Sequence, residues 1–547
     1  MKSHKLIRTS FAALVCALLA SCATPPATPD KPKLVVLLVV DGLPQRQVLA
    51  YRDQLAPDGF ARFLDRGAWF ADAQYGHAFT VTAAGHATML TGAYPHRTGI
   101  IGNEWRDQAT GEPVYNTGDT SATYLGNSTR PLDGTSPRNL KAETVGDVLR
   151  RLDARSKVIA ISGKDRGAIL PAGKTGTAYM YMGQSGQFAS TSFYMPAHPT
   201  WVTQFNGRKL ADTYFKTEWK PVLPEAAYAR SVADNQPWYG PRGGKLPMMM
   251  GVAADDVPGP AFYSALLASP FADALSLEFA RAAIAGEGLG RDDAPDLLAV
   301  SLSGHDYVNH RFSAESRLSH DHFLHLDRML QSFLRDLDAT VGKDNYIAVL
   351  TADHGFMPAP EFNQARGVES GRISSSQMLT RISAGLVQKF GEGKWLLGAS
   401  GASLLLDKKL IAARGVSLDA VAEESRRLIL LEPSIGTAYT RAELLSNSRA
   451  GAPFFEASRK AWHPDVAGEV QFTIKPNFMF GSSTSIATHG SPHPYDTHVP
   501  ILVYGPKWVR AGRVDTRVEV VDIAPSLSRI LGVAAPAMSE GRQLPLP

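Results

Sequence analysis

The sequence predicts an α/β fold, with a mostly parallel central sheet flanked by helices and capped by two inserted segments. Two observations lead there. Five short apolar runs are continuous rather than alternating, which is the pattern of strands covered on both faces. The stretches between several of them carry helical periodicity, and strands separated by helices build a parallel sheet.

The runs are Leu34–Val40 (LVVLLVV), Lys157–Ile161 (KVIAI), Leu297–Leu302 (LLAVSL), Tyr346–Leu350 (YIAVL) and Val499–Tyr504 (VPILVY). All five read as buried parallel strands. The clearest helix spans Leu318–Leu337, where Leu318, Phe323, Leu326, Met329, Leu330, Phe333 and Leu337 recur near helical spacing. Two stretches interrupt the alternation. Residues at about 185–285 are rich in aromatics, Pro and Gly, among them Met248–Met250, which read as core filling. Residues at about 365–475 hold a separate unit, with a strand at Ala402–Leu406 and a helix at Leu418–Leu431. Both read as insertions in one catalytic domain over residues 34–547.

The N-terminus reads as an export signal. Residues 1–21 combine a basic start (Lys2, Lys5, Arg8) with an apolar run, Phe11–Ala20, too short to span a membrane. Leu19-Ala20-Ser21-Cys22 is similar to a bacterial lipoprotein signal, which implies a lipid anchor at Cys22, a Pro-rich tether over residues 22–33 and a periplasmic body held at the outer membrane. Cys16 and Cys22 are the only cysteines, so the body has no disulfide. The net charge is +4, and Lys2, Lys5 and Arg8 supply three of those charges. A body so near neutral has no patch for nucleic acid. With 44% hydrophobic residues it is not a disordered chain either.

Polar residues fall where strands end. Asp41 follows the first run, Lys164 and Arg166 the second, Asp306 and His310 the third, and Asp353 and His354 the fourth. Ligands of open α/β sheets bind at the carboxyl ends of strands, so four strands deliver charged groups to one edge. Carboxylates and imidazoles without cysteine suit catalytic zinc, and five or six such ligands suit two ions. Small residues after Thr82 (Ala83-Ala84-Gly85) read as a helix start, where a hydroxyl would meet a positive helix end. These arguments do not choose between Thr80 and Thr82.

Five segments carry a resemblance: VVDG at 39–42, TVTAAGHATMLTGAYPHRTGIIGNEW at 80–105, GHDYVNH at 304–310, ADHG at 352–355 and THGSPHPYDTHVPILVYG at 488–505. Together they resemble the alkaline phosphatase superfamily, in its type I phosphodiesterase / nucleotide pyrophosphatase-like branch. The resemblance implies an alkaline-phosphatase-like fold and two Zn2+ per chain. One zinc would be held by Asp306, His310 and His489, the other by Asp41, Thr82, Asp353 and His354. Thr82, the second threonine of a T-x-T pair, would be the nucleophile. His489 occupies the family's His-Gly position, with His498 the alternative.

The chain is most similar to periplasmic monoesterase-type members with a threonine nucleophile. That similarity implies phosphate binding by Asn103, Lys164 and Arg166. A bidentate guanidinium, a point charge and a neutral donor suit a monoester's spare oxygens. The expected activity is alkaline phosphatase action on small phosphate monoesters through a phosphothreonine, by a monomeric protein. The alternatives are a nucleotide pyrophosphatase/phosphodiesterase, or an inactive lipid-anchored binding protein of the same fold. A sulfatase is excluded, because it needs Cys or Ser where Thr82 stands. His320, Asp321, His322 and His325 lie on the long helix and read as solvated or packing residues, and His86 as a buttress of the Thr82 segment.

Overall fold

A computed structural model describes residues 30–239, 243–252, 254–481 and 485–546. The segment expected to be an export signal and Cys22 lie outside the described residues, as does most of the expected tether. The body from Pro32 onward forms one compact unit. Among the described residues, no helix is long and apolar enough to cross a membrane.

Nine strands form the main sheet: β1 (Leu34–Val40), β2 (Ala68–Phe70), β3 (Val158–Ser162), β4 (Thr177–Met182), β5 (Gln187–Ala189), β6 (Asp296–Leu302), β7 (Tyr346–Thr351), β8 (Ile501–Tyr504) and β9 (Gly512–Val514). Their spatial order is β9-β2-β8-β7-β1-β6-β3-β4-β5. β1 lies at the centre, and all seven of its residues are inaccessible to solvent. This is why LVVLLVV has no polar alternation: neither face meets water. β1 pairs in parallel with β6 and β7, and β6 with β3.

One strand departs from expectation. Val499–Tyr504 does not run parallel: β8 pairs antiparallel with β7 and with β2. An antiparallel strand covered on both faces presents the same continuous apolar run, so hydropathy does not report its direction. The reversal matters for the site. The chain entering β8 arrives at the sheet edge where β1, β3, β6 and β7 end.

The helices that position the site are α1 (Thr82–Thr91), α2 (Asp165–Ala172), α3 (Pro270–Glu287), α4 (Gly304–Phe312) and α5 (Arg317–Leu337). In α5 the hydroxyl of Ser316 accepts from Ser319 N at 3.0 Å and caps the first turn, while Leu318, Phe323, Leu326, Leu330, Phe333 and Leu337 are buried. Phe279 of α3 stacks on Phe188 of β5 at 4.3 Å between ring centroids. A second sheet, antiparallel, orders Leu396–Ser400, Ser403–Leu406, Val470–Ile474 and Ile435–Thr440. With helices Ser375–Phe390 and Leu418–Ile429 it encloses its own apolar core, including Met378, Ile382, Leu404, Val421 and Phe472.

Candidate active site

Strand register brings the carboxylates together. Val39 lies beside Ser301 and beside Thr351, so β1, β6 and β7 end at nearly the same level. Asp41, Asp306 and Asp353 follow within a few residues of these ends, and all three are buried. Gly42 N donates to Asp353 Oδ1 at 3.0 Å and ties two of the loops. On α4, Asp306 and His310 are four residues apart and share a face. His310 Nε2 sits 3.4 Å from Asp306 Oδ1.

His489 completes that group, with Nε2 3.5 Å from Asp306 Oδ1. Its ring stacks on His354 with centroids 3.3 Å apart. His354 Nε2 lies 3.6 Å from Asp41 Oδ1 and 3.4 Å from Asp353 Oδ2. His498 stands elsewhere, bonding Ala71 O through Nε2 at 2.9 Å, and His493 Nε2 bonds Ile474 O at 3.0 Å.

Each imidazole of the cluster is turned the same way. Nδ1 of His310 bonds Ala487 O, that of His354 bonds Gly355 O, and that of His489 bonds Thr80 O, each at 2.9 Å. A ring that donates through Nδ1 presents the Nε2 lone pair, so all three lone pairs face the carboxylates. Burial lowers the proton affinity of the His354 and His489 rings. Burial also pushes Asp41 well above the usual carboxylate range, reinforced by the charge of Asp353. Asp306 responds oppositely. Burial pushes it up, but the Lys164 ammonium, foremost among its neighbours, outweighs that and holds it well below the usual range.

Asp41 Oδ1 and Asp306 Oδ1 are buried and accept no hydrogen bond. Carboxylate oxygens left so are costly unless a cation meets them. One ligand atom each from Asp306, His310 and His489 falls within 4.8 Å of the others, and the same holds for Asp41, Asp306 and His354. Nitrogen and oxygen donors without sulfur, in two groups that share Asp306, suit a divalent metal such as zinc.

Thr82 opens α1, and its Oγ1 lies 3.4 Å from His354 Nε2. The two threonines differ here. Thr80 Oγ1 donates to Ser491 O at 2.9 Å, so its hydroxyl is engaged with the main chain. Asn103 Oδ1 accepts from Ala83 N at 2.9 Å, which caps α1 and leaves the Asn103 amide to donate. His86 braces the segment from beneath: Nδ1 is 2.8 Å from Thr82 O and 3.3 Å from Asp353 Oδ2, and Nε2 is 2.8 Å from Ser301 Oγ. α1 packs so closely on the Asp353 loop that a Cβ on Gly85 would sit 2.1 Å from Asp353 O.

Lys164 Nζ bridges Asp41 Oδ2 at 2.7 Å and Asp306 Oδ2 at 2.6 Å. Burial pulls its pKa down, but the charges of Asp306 and Asp41 outweigh burial and raise it above the ordinary lysine value. Arg166 Nη1 donates to Tyr115 OH at 3.1 Å, and that hydroxyl donates to Asp165 Oδ1 at 2.6 Å. Arg166 Nε is buried without an acceptor, a donor suited to an anion. Lys164 and Arg166 line a cavity of about 250 Å3 with Tyr115, Tyr307 and Tyr181 among its walls. Tyr115 had no local sequence signal, because it meets Arg166 from fifty-one positions away.

The histidines of α5 serve packing. His320 stacks on Tyr51 at 3.5 Å and bonds Ser231 Oγ and Gln54 Oε1, each at 2.7 Å. Asp321 accepts from Trp219 Nε1 at 2.6 Å, Val222 N at 2.7 Å and Tyr228 OH. His322 Nδ1 lies 3.2 Å from His305 Nδ1.

Residues 35–491 match the family described as type I phosphodiesterase / nucleotide pyrophosphatase. The chain is 32% identical over 517 residues to alkaline phosphatase PafA of Elizabethkingia meningoseptica, covering 94% of each. It is 32% identical over 535 residues to alkaline phosphatase PhoV of Synechococcus elongatus, covering 94% of this chain and 93% of the other. The crystal structure of wild-type PafA matches with a TM-score of 0.86 at 31% identity, over 94% of this chain and 98% of that one. A further PafA crystal structure, with a TM-score of 0.85, carries replacements of a threonine, an asparagine, a lysine and an arginine. On the extent of these matches, this chain belongs to the type I phosphodiesterase / nucleotide pyrophosphatase family.

Proposed function

We propose that the chain is an exported alkaline phosphatase that hydrolyses phosphate monoesters with two zinc ions and a phosphothreonine at Thr82. The relatives named alkaline phosphatase support the phosphomonoesterase reading. The carrying observation is Thr82 Oγ1 at 3.4 Å from His354 Nε2, beside buried carboxylate oxygens that have no hydrogen-bond donor. The residue types replaced in the PafA variant are those of Thr82, Asn103, Lys164 and Arg166, which supports their assignment to phosphate chemistry.

Asp306, His310 and His489 would hold one zinc, and Asp41, Thr82, Asp353 and His354 the other. Zinc held there would supply Lewis-acid chemistry that favours the ionised form of the nucleophile and offsets charge on the departing oxygen. The chain's own part is positional. Thr82 sits at the N-terminus of α1, where the helix dipole favours an alkoxide and an anionic phosphoryl group. Thr82 Oγ1 gives up its proton and attacks phosphorus as the P–O ester bond breaks on the opposite side, the departing oxygen taking up a proton to leave as an alcohol. Water then cleaves the P–Oγ1 bond of the phosphothreonine, which releases inorganic phosphate and restores the Thr82 hydroxyl. Arg166 clamps two phosphoryl oxygens, Lys164 offsets charge and Asn103 donates a neutral hydrogen bond.

The test is paired kinetics of the purified protein on chromogenic phosphate monoesters and diesters with zinc present. Monoester turnover should dominate, be lost to a chelator and return with Zn2+. Diester preference would make the protein a phosphodiesterase. Wild-type turnover by Thr82→Ala would overturn the nucleophile, and far fewer than two bound zinc per chain would overturn the metal assignment.

A further inference from the structure

The loops that carry His354 and His489 are both fastened to one residue. Asp496 is 1% exposed and lies in the short helix Pro494–Thr497. Its Oδ2 accepts from Gly490 N at 3.1 Å, Ser491 N at 2.9 Å and Ser491 Oγ at 2.6 Å. Those donors directly follow His489. The hold continues to the imidazole itself, because Thr80 Oγ1 donates to Ser491 O while Thr80 O accepts from His489 Nδ1, each at 2.9 Å.

The main chain of the same residue reaches the other loop. Gly355 N, next to His354, donates to Asp496 O at 2.7 Å, and Phe356 N donates to Tyr495 O at 2.8 Å. The approach requires glycine: a Cβ on Gly355 would lie 2.2 Å from Tyr495 O. One residue thus grips one loop with its carboxylate and the other with its carbonyl.

We propose that Asp496 is a positioning residue that sets the two metal groups by separable links, its side chain orienting His489 and its backbone orienting His354. The proposal rests on the dizinc reading above. Partners that orient a metal ligand typically change affinity 10–100-fold when removed. The links predict an asymmetric defect, because substitution deletes the side-chain link and leaves the carbonyl. An amide at this position still offers an oxygen to the same three donors.

The experiment titrates zinc into metal-stripped full-length protein against a chromophoric chelator, with cobalt spectra recorded in parallel. Wild type should bind two equivalents. Asp496→Ala should weaken one equivalent about 10–100-fold and leave the other within about twofold. Asp496→Asn should behave as wild type at both. Equal weakening of both equivalents, no weakening, or an Asn variant as poor as Ala would each overturn the proposal. If Asp496→Ala does not fold, as judged by melting of the metal-free protein, Ser491→Ala removes one of the three bonds. It should then weaken the same single equivalent by less, and no weakening would overturn the proposal. A wild type that fails to bind two equivalents overturns the dizinc reading instead, so the two failures are distinguishable.

Discussion

Gly85→Ala separates local helix energetics from the packing seen here. In a helix interior, Gly→Ala ordinarily stabilises by about 0.5–1 kcal/mol. In α1 the added Cβ would lie 2.1 Å from Asp353 O, 2.8 Å from Asp353 C and 2.9 Å from Asp353 Cα. These are backbone atoms, so no side-chain rotation relieves the contact. Ordinary carbon contacts begin near 3.5 Å, so α1 and the Asp353 loop must part by about 1 Å. Overpacking of this kind costs about 1–3 kcal/mol, which offsets or exceeds the helical gain and leaves a net loss of about 0–2.5 kcal/mol. The displacement moves the Asp353 loop relative to the helix that Thr82 opens. A shift near 1 Å costs about 10²-fold in rate, equivalent to about 2.7 kcal/mol of barrier. Thermal melting and kcat/KM on a chromogenic monoester check both parts. A variant that melts higher than wild type and keeps its kcat/KM would refute the reasoning.

Other substitutions test single links. Lys164→Ala should lower monoester kcat/KM about 10²–10³-fold, as losing one preorganised donor does, and diester turnover by less. An equal loss on both substrates would assign Lys164 to the carboxylates alone. His489→Ala should lose one tightly bound zinc by metal analysis. His498→Ala should keep two and lose about 1 kcal/mol of stability through its bond to Ala71 O, at 2.9 Å. Asp321→Ala strands the Trp219, Val222 and Tyr228 donors and should cost about 3 kcal/mol or more in denaturant unfolding. Burial pushes the Asp321 carboxyl up, but His325, Tyr228 and Val222 outweigh it and hold it below its ordinary value of 3.8. The charge-linked part of its contribution is therefore fully present above pH 3.8 and is lost as pH falls through the depressed folded value. The stability gap between wild type and Asp321→Ala should narrow only in that acid range.

What could be read from the chain was whatever a few neighbouring residues decide. Asp41, Asp306 and Asp353 stood out because each closes a continuous apolar run. The period of α5 was legible because its buried face repeats within one helix. The short strands Ala68–Phe70, Thr177–Met182, Gln187–Ala189 and Gly512–Val514 were not. Three-residue strands hold too few side chains to show a period, and TAYMYM mixes residues that suit helix and strand. The direction of Ile501–Tyr504 was equally hidden, because burial on both faces looks the same in either sense.

The sequence by itself determined an α/β sheet and the polar residues at its strand ends. Its family membership was carried by motifs whose order along the chain is specific. The tertiary structure decided which side chains meet. It set Thr82 against His354 while engaging Thr80 with Ser491, and it placed His489 rather than His498 beside Asp306. It also joined Arg166 to Tyr115 and both ligand loops to Asp496. The physical reason is range. Hydropathy and capping act over a few residues, whereas these contacts join segments brought together only by the register of β1, β6 and β7 and by the reversed entry of β8.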